Sequence, residues 1–408
     1  MRHDHTNWLT HFVRDRNPDQ DFPGGDEDDC GFFAGGELEI DASAFQVLKT
    51  IIRLGGITPG YSFRNGRTTI YGGRPAICVT EMPLYSFATY VKSRGDTAKA
   101  SAYGIAFLKA EFFTAGGRPV IYGLSTDNPN YKENTTTSRI FCDSVLPLSE
   151  QYRYVAFNPS SRTNWIDWSH EREWRWIVQD PDRDHIWLRD YHGVYDTAPG
   201  LPLFKGAMEG GAFTRVCVIV WDREEAAEIQ ELLTGLYLAG SNNYGTPFER
   251  NLIAASHIVV LEDVIDAVEK GNKLNSQTIE GLEEANLLEP IKIVQPPANA
   301  AQIAASAMAT AATAAEMAAK AFAANHGLGG GYCGYANAVT YDVTNPIVQY
   351  LLSTGQAAGP YDGAVLIQFP KNFPSSQSMD YNEAVCEAAA KALTSSLGIS
   401  VFMESRPD

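Results

Sequence analysis

The spacing of apolar residues predicts a chain in which short strands and helices follow one another. Apolar positions at helical spacing predict a helix over residues 45–53, with Asp41 or Ser43 as its N-cap and Gly55-Gly56 as its end. Residues 82–92 predict a second helix, with Pro83 in its first turn. Short apolar or alternating runs predict strands over residues 68–71, 76–80, 103–108, 119–124, 174–178 and 187–188.

The pattern changes after residue 215. A fully apolar run at residues 216–221 and a second apolar run at residues 257–261 predict two strands, and amphipathic helices are predicted to follow them over residues 222–236 and 262–270. Glu224 and Glu225 in the first turn suit the dipole of the first of these helices. Strands that alternate with helices favour parallel pairing.

The last third of the chain differs again in composition. Sixteen of the twenty-seven residues from 298 to 324 are Ala, which predicts one long helix that ends at the glycine run 327–331. The segment after it predicts a compact β-α-β-α-β unit. The sequence therefore predicts an α+β (mixed α/β) fold: an acidic N-terminal arm (1–41), a mixed-sheet catalytic body with flanking helices (42–295), an Ala-rich helix with a glycine hinge (296–331) and a small C-terminal unit (332–408).

Charge is distributed unevenly along the chain. The formal net charge is −17, which disfavours a general nucleic-acid binder because affinity for a polyanion comes mainly from Lys and Arg. Residues 42–80, the acid-free window, nevertheless contain no Asp or Glu and carry several cations among glycine-rich turns. Arginines beside such turns predict a phosphate site, and the alternative is a solvated basic face that pairs with the acidic remainder. The cations are Lys49, Arg53, Arg64, Arg67 and Arg74.

Composition also limits location and cofactors. No run of about 18 apolar residues is present, and the N-terminal residues lack an apolar signal core, so we expect a cytoplasmic protein without a membrane span. The six cysteines lack CxxC spacing and the histidines lack ligand spacing, which predicts reduced thiols, no metal site and no cofactor. The Ala-rich helix could pair with a second copy of itself.

The densest cluster of chemically active side chains is residues 165–176, the Trp block, with four tryptophans and six ionisable residues. If residues 174–178 form a strand, Glu173 and Arg175 share one face, and Trp174 and Trp176 share the other. The polar face would then place a carboxylate beside a guanidinium. The alternative is a structural Glu–Arg pair attached to an aromatic core.

Two segments resemble a known bacterial family. Residues 168–175 (WSHEREWR) resemble the W-x-x-E-x-E-W-R signature of AbiGi-like abortive-infection proteins, and residues 77–84 (ICVTEMPL) are similar to their f-T-E-x-P-L element. Residues 103–107 and 118–122 fit the strand pattern of the family, so the resemblance covers about residues 45–265. It implies a phage-defence protein with an ADP-ribosyltransferase-like fold.

That resemblance directs attention to C1′–N bonds, which ADP-ribosyltransferases and nucleobase glycosylases both break through an oxocarbenium-like state. Both need a carboxylate near the developing positive charge, aromatic rings for the base and donors for phosphate. The candidate carboxylates are Glu81, Glu171 and Glu173. The five cations of the acid-free window are the candidate phosphate ligands, and the candidate base-stacking residues are Tyr61, Phe63, Tyr71, Trp165 and Trp168.

The leading hypothesis is a DNA base glycosylase that acts on phage DNA. A second hypothesis is an NAD-dependent ADP-ribosyltransferase toxin, with Arg64, Tyr71 or Tyr103, and Glu171 or Glu173 on three strands and NAD as cofactor. A third is a non-catalytic phage sensor or immunity protein. Both enzyme hypotheses require the acid-free window and the Trp block to share one cleft.

Overall fold

The computed structural model describes most of the chain in several stretches. The described residues are 6–17, 38, 41–64, 66–94, 101–124, 130–136, 138–159, 166–189, 195–242, 244–270, 282, 285–293, 295–328, 331–361 and 363–407. They combine helices with a mixed sheet, which confirms the predicted α+β class. The chain divides into two compact units: Met1–Gln230 with Tyr244–Ile291, and Glu231–Asn243 with Lys292–Asp408.

The centre of the first unit is a mixed sheet that has eight strands in the described residues. The strands are β1 (Trp8–Val13), β5 (Ile77–Thr80), β6 (Tyr103–Leu108), β7 (Arg118–Pro119), β12 (Glu173–Trp176), β16 (Cys217–Val220), β17 (His257–Val260) and β18 (Glu289–Pro290). Their order across the sheet is β18-β17-β16-β6-β1-β5-β12-β7. Strands β16 and β17 run parallel, as predicted, and the other neighbours run antiparallel.

Helices cover this sheet, and α1 shows how the sequence sets their ends. The Ser43 side chain accepts a hydrogen bond from the Gln46 N–H in a capping box, and Gly55 ends the helix with a left-handed φ of 70°. The helices of the first unit are α1 (Ala44–Leu54), α2 (Leu84–Arg94), α3 (Lys109–Thr114), α4 (Arg223–Ala239), α5 (Arg250–Ala255) and α6 (Leu261–Glu269). Helix α4 continues into the second unit, because the division falls after Gln230.

Short two-stranded ladders complete the first unit. They pair β3 with β4, β8 with β11 in parallel, β9 with β10, β13 with β14, and β2 with β15. Their bounds are β2 (Gly56–Ile57), β3 (Phe63–Arg64), β4 (Arg67–Thr68), β8 (Ile121–Leu124), β9 (Tyr131–Asn134), β10 (Arg139–Phe141), β11 (Tyr154–Phe157), β13 (His185–Arg189), β14 (Tyr195–Pro199) and β15 (Leu201–Pro202).

The N-terminal segment is not simply an acidic arm. Strand β1 lies inside the sheet between β5 and β6, and Leu9 is fully buried there. The predicted boundary at residue 41 is therefore wrong for residues 8–13, whose sequence WLTHFV lacks the strict apolar–polar alternation that signals a strand. The acidic residues 19–37 lie outside the described residues.

The second unit contains a four-stranded antiparallel sheet in the order β20-β21-β19-β22. Its chain order is β-α-β-β-α-β, the connectivity of ferredoxin-like units. The elements are α7 (Ala300–His326), β19 (Gly334–Thr340), α8 (Pro346–Ser353), β20 (Ala357–Tyr361), β21 (Ala364–Ile367), α9 (Met379–Leu397) and β22 (Phe402–Pro407). The prediction missed β20 because it contains Gly359-Pro360; proline is tolerated there since β20 is an edge strand.

The Ala-rich helix belongs to this second unit, not to a separate connector. Ala307 and Ala311 of α7 share one buried core with Ala389 and Ala390 of α9. Small side chains let the two helices approach closely, so the buried alanine face serves packing within the chain. None of the helices in the described part of the chain combines the length and apolar character needed to cross a bilayer.

Candidate functional site at the ends of β5 and β12

Strands β5 and β12 bring the two motif-like segments side by side. Their antiparallel register pairs Glu173 with Thr80 and Arg175 with Cys78. Because side chains alternate along a strand, Glu173 and Arg175 share one face, which we call the Glu173 face. Trp176 is buried on the other face, where its indole N–H donates to the Ala115 carbonyl at 2.9 Å. The predicted division into a polar and an aromatic face is confirmed.

A tight turn before β12 ties this strand to the end of β5. The 3₁₀ turn Ser169–Glu171 ends at Arg172, which adopts a left-handed φ of 47°. The Thr80 hydroxyl donates to the Glu171 carbonyl, and the Glu81 N–H donates to the Arg172 carbonyl at 3.3 Å. A left-handed non-glycine residue costs about 1–2 kcal/mol, so these bonds hold a strained turn in place.

Glu173 is held by a buried guanidinium. Arg175 Nε donates to Glu173 Oε1 at 2.7 Å, and Arg175 Nη1 donates to the carbonyls of Tyr152 and Tyr154 at 2.7 and 3.1 Å. The exposed side-chain fraction is 4% for Arg175 and 13% for Glu173. Burial lowers the pKa of Arg175, but the neighbouring Glu173 and Cys78 together outweigh burial and raise the pKa. The arginine is therefore a fixed cation beside the Glu173 carboxylate.

Glu173 retains capacity for a ligand. The thiol of Cys78, a weak donor, also lies beside its carboxylate. Burial, followed by the nearby Glu173 charge, raises the pKa of that thiol, so Cys78 stays protonated. One carboxylate oxygen thus has a strong donor, and the side chain is not fully buried.

Glu81 lies on the opposite face of the sheet and is saturated. Its Oε1 pairs with Lys109 Nζ at 2.8 Å, and its Oε2 accepts from the Trp174 indole at 3.0 Å. It directly follows Thr80, the partner of Glu173 in the register, so the two carboxylates point to opposite faces. The structure thus separates Glu81 from Glu173, and the place of Glu81 among the catalytic carboxylates stays a prediction.

Tyr122 is a site residue that sequence reasoning missed. Its hydroxyl donates to the Trp168 carbonyl and accepts from the Glu173 N–H, both at 3.3 Å. Burial, followed by the nearby carboxylates of Glu173 and Glu171, raises the pKa of Tyr122. It is therefore a neutral donor beside both acids. A signal existed, because Tyr122 ends the segment 118–122 that fits the strand pattern of the resembling family.

The second half of the acid-free window meets the Trp block. Tyr61, Ile70 and Ala76 pack in one apolar cluster with Tyr152 and Ile177, and Cys78 of the Glu173 face adjoins it. Arg74 Nη2 donates to the Val178 carbonyl at 2.6 Å, just beyond β12. The two sequence segments, about a hundred residues apart, thus share one side of the sheet.

The first half of the window lies elsewhere. The Phe45 ring of α1 packs 5.4 Å from the ring of Tyr103 on β6. Tyr103 and Ala106 point to opposite faces of β6, and the register across β6, β1, β5 and β12 places Ala106 on the Glu173 face. Helix α1 therefore covers the face opposite Glu173.

Lys49 and Arg53 lie on α1 and are thus separated from the site by the sheet. Lys49 Nζ pairs with Glu228 at 3.1 Å and also lies 4.8 Å from the centre of the Phe45 ring. The prediction that Lys49 and Arg53 bind phosphate beside Glu173 is wrong. Lys49 instead matches the alternative interpretation, in which the cations of the window pair with acidic residues elsewhere in the chain.

The hairpin of β3 and β4 carries the other arginines. Arg67 is exposed, and its side chain forms no hydrogen bond or ion pair with any residue that the structure describes. Arg64 lies opposite it in the ladder, but its side chain lies outside the described residues. Phe63 is half-buried, and the Tyr61 hydroxyl donates to the Gly73 carbonyl at 3.1 Å. Arg67 and Arg74 remain the exposed candidates for phosphate.

Tyr71 is unsuitable for stacking a base. It is 2% exposed, and its ring lies 4.9 Å from the rings of Phe141 and Tyr154 and 4.1 Å from the guanidinium of Arg139. The prediction for this residue is wrong, because both neighbouring aromatics and the arginine already use its faces. Trp168 is half-buried, with its ring 6.1 Å from that of His170. Trp165 lies outside the described residues.

The three roles of an NAD-dependent transferase do not come together in this arrangement. The Tyr103 hydroxyl donates to the Glu225 carboxylate at the start of α4, and Tyr103 lies on the face opposite Glu173. Tyr71 is enclosed, and Arg64 lies on a separate hairpin. In the described part of the chain, no group of three His, Cys, Asp or Glu residues is placed to hold a metal ion.

No protein-family model matches this chain, and no match was found among curated proteins or solved structures. The resemblance to AbiGi-like proteins therefore stays a prediction carried by the quoted residues. The site must be interpreted from its own geometry.

Proposed function

We propose that this chain cleaves N-glycosidic bonds in nucleic acid, most simply as a DNA base glycosylase that acts on phage DNA. One observation carries the proposal: Glu173 is anchored through a single oxygen by the buried Arg175, while its side chain keeps 13% of its surface exposed. A carboxylate held in place beside the substrate is what an oxocarbenium-like state requires. Glu81 is exposed to a similar extent, at 17%, but both of its oxygens are engaged by Lys109 and Trp174.

The chemistry assigned to the site is a hydrolysis. The C1′–N bond breaks, and the base leaves with the bonding electrons while positive charge develops on the sugar. The Glu173 carboxylate stabilises that charge. A water molecule adds its oxygen to C1′, and its proton neutralises the departing base. The neutral hydroxyl of Tyr122 accepts from the Glu173 N–H and donates to the Trp168 carbonyl, so it holds the backbone that carries Glu173.

The choice of nucleic acid rests on Arg67 and Arg74. Arg74 contacts Val178, five positions from Glu173, a separation of about 17 Å in extended chain. At 3.4 Å per base along a strand, that distance corresponds to about five nucleotides. A phosphate at Arg74 and a target nucleotide at Glu173 would thus lie on one bound segment. A base must leave the stack to reach the carboxylate.

The biological setting follows from the resemblance rather than from geometry. Residues 168–175 and 77–84, which carry it, are the segments joined at the ends of β5 and β12. We therefore infer a role in anti-phage defence, in the cytoplasm, with phage DNA as the partner. Hydrolysis needs no cofactor besides water.

The test is to incubate the purified protein with phage DNA that carries unmodified or modified bases, and with host DNA. Abasic sites detected by an aldehyde-reactive probe, with free base identified by mass spectrometry, are the expected products. A parallel reaction with NAD distinguishes the transferase hypothesis, which predicts nicotinamide release and labelled DNA or protein. Absence of abasic sites and free base on every DNA would contradict the glycosylase.

A further inference from the structure

Strand β22 forms one edge of the four-stranded sheet in the second unit. Among the described residues it pairs with β19 alone, and its residues are exposed except for the half-buried Met403. An edge strand presents unpaired N–H and C=O groups, which another strand can pair with. The question is which of its groups point outward.

The register answers this question. The Gly334 N–H donates to the Gln377 carbonyl at 3.1 Å, and the Gly334 carbonyl accepts from Asn382 Nδ2 at 2.9 Å. Both groups of Gly334 thus point away from β22, so its partner Pro407 occupies a non-hydrogen-bonded position. Pro407, which has no N–H, accordingly faces outward, where an edge strand tolerates proline.

Alternation extends this result along the strand. Phe402, Glu404 and Arg406 direct their backbone groups toward β19, whereas Met403, Ser405 and Pro407 direct theirs outward. A new strand would therefore form its backbone bonds with the second set. The side chains of the first set would stand in the closer, non-hydrogen-bonded pairs of that new ladder.

The charges on this edge are self-complementary. Glu404 and Arg406 lie two residues apart, so their side chains share one face. Arg406 forms no ion pair with any residue in the described ranges, and Glu404 accepts a hydrogen bond from the Tyr341 hydroxyl. The edge thus carries a carboxylate and a guanidinium two residues apart. Two antiparallel copies can place the carboxylate of each opposite the guanidinium of the other.

We propose that β22 pairs antiparallel with β22 of a second copy of this chain, centred on Ser405. In that register Ser405 exchanges both backbone hydrogen bonds with its counterpart, and the Met403 N–H donates to the opposing Pro407 carbonyl. Each Glu404 then faces an Arg406 of the other copy. The two sheets become one continuous sheet across a two-fold axis.

Charge selects this register over its neighbours. Pairing centred on Glu404 would oppose two carboxylates, and pairing centred on Arg406 would oppose two guanidinium groups, both of which are destabilising. Centring on Met403 would place Phe402 opposite Glu404 and leave Arg406 without a partner. The register centred on Ser405 is the one that satisfies both charges in both copies.

The size of the edge indicates how strong the association is. A strand of six residues extends for about 20 Å, so pairing buries less surface than a standard stable interface. The dimer is therefore expected to be weak, to form as the protein concentration rises and to weaken with salt. The competing account is that the charges and Pro407 guard the edge against pairing, which predicts a monomer at all concentrations.

The test is sedimentation equilibrium of the full chain over a wide concentration range at low salt. The wild type should dimerise, and E404R or R406E alone should weaken the dimer by roughly tenfold or more, since each replaces two attractive pairs with two repulsive ones. The charge-swapped double variant E404R/R406E should restore it. An equimolar mixture of the two single variants should associate more strongly than either alone, because their edges are then oppositely charged.

As a control, circular dichroism and thermal unfolding should show that each variant is folded. Folding is expected because both side chains are exposed. A monomeric wild type at the highest concentration would overturn the proposal. So would a dimer that all the charge variants leave unchanged, since that dimer would use another surface. A double variant that stays as weak as the single variants would also overturn it.

Discussion

Arg175 is the residue on which the polar face of the site depends. It satisfies the Glu173 carboxylate and two backbone carbonyls while almost fully buried. Replacing Arg175 with Met leaves a nearly buried carboxylate and two carbonyls without donors. We expect the free energy of unfolding to fall by about 3–5 kcal/mol, measured by urea denaturation. The matched variant Arg74→Met removes one exposed contact and should cost less than about 1 kcal/mol; equal losses would contradict the assignment.

His11 should make stability depend on pH. It lies on β1 with Nδ1 2.9 Å from the Cys78 carbonyl, and burial lowers its pKa below 6.5, although the hydrogen bond to Cys78 opposes that shift. As pH falls, the unfolded chain binds a proton at this residue before the folded chain does, so stability is lost below about pH 6.5. The slope from this group is at most about 1.4 kcal/mol per pH unit.

The check is unfolding free energy measured between pH 5 and 7.5 for the wild type and for His11→Gln. The substitution should flatten the slope, because glutamine keeps a donor to the Cys78 carbonyl but does not titrate. An unchanged slope would show that His11 binds its proton equally well in both states.

For single residues, the sequence predicted which side chains lie together better than it predicted what each side chain does. Alternation along β12 was sufficient to place Glu173 beside Arg175. This alternation could not distinguish the environment of Glu173 from that of Glu81. The two oxygens of Glu81 are bound by Lys109 and Trp174, which are distant from it in the sequence. The prediction for Tyr71 was wrong for a similar reason, because the aromatic rings that pack against it lie on strands distant in the sequence.

At the scale of elements, strand β6 has little room for an added side chain at Gly104. A Cβ atom at Gly104 would lie 2.7 Å from the His11 carbonyl oxygen of the neighbouring β1. Gly104→Ala must push the two central strands apart, and we expect a loss of about 1–3 kcal/mol in thermal denaturation. At Gly60 a Cβ would meet nothing within 4 Å, so Gly60→Ala should be neutral or slightly stabilising. Equal effects at the two positions would contradict the strand packing.

Elements with local signals were predicted well, and those defined by distant pairing were not. The cap at Ser43, the stop at Gly55 and the parallel pair β16–β17 follow from the local pattern. The position of β1 in the middle of the sheet does not follow from the local pattern, because the order of strands depends on pairing between distant parts of the chain. The edge strand β20 was missed since its Gly359-Pro360 pair lacks the usual strand signal.

For the whole molecule, the division of the acid-free window predicts how DNA binding responds to salt. Arg74 lies on the side of Glu173, Arg67 is exposed on the β3–β4 hairpin, and Lys49 lies across the sheet. Arg67→Ala and Arg74→Ala should each reduce the slope of log affinity against log salt by about 0.7–0.9. Lys49→Ala, at the same change in net charge, should leave the slope unchanged. A uniform reduction by all three would indicate non-specific attraction, not a groove.

The most direct measurement of the central claim is the rate of base release from phage DNA by two matched variants, Glu173→Gln and Glu81→Gln. Each removes one carboxylate charge from a neighbouring position on the same strand pair. The account predicts that Glu173→Gln lowers the rate by about 10²–10⁴-fold while Glu81→Gln stays within a few-fold of the wild type. Comparable rates for the two variants, or the larger loss for Glu81→Gln, would contradict it.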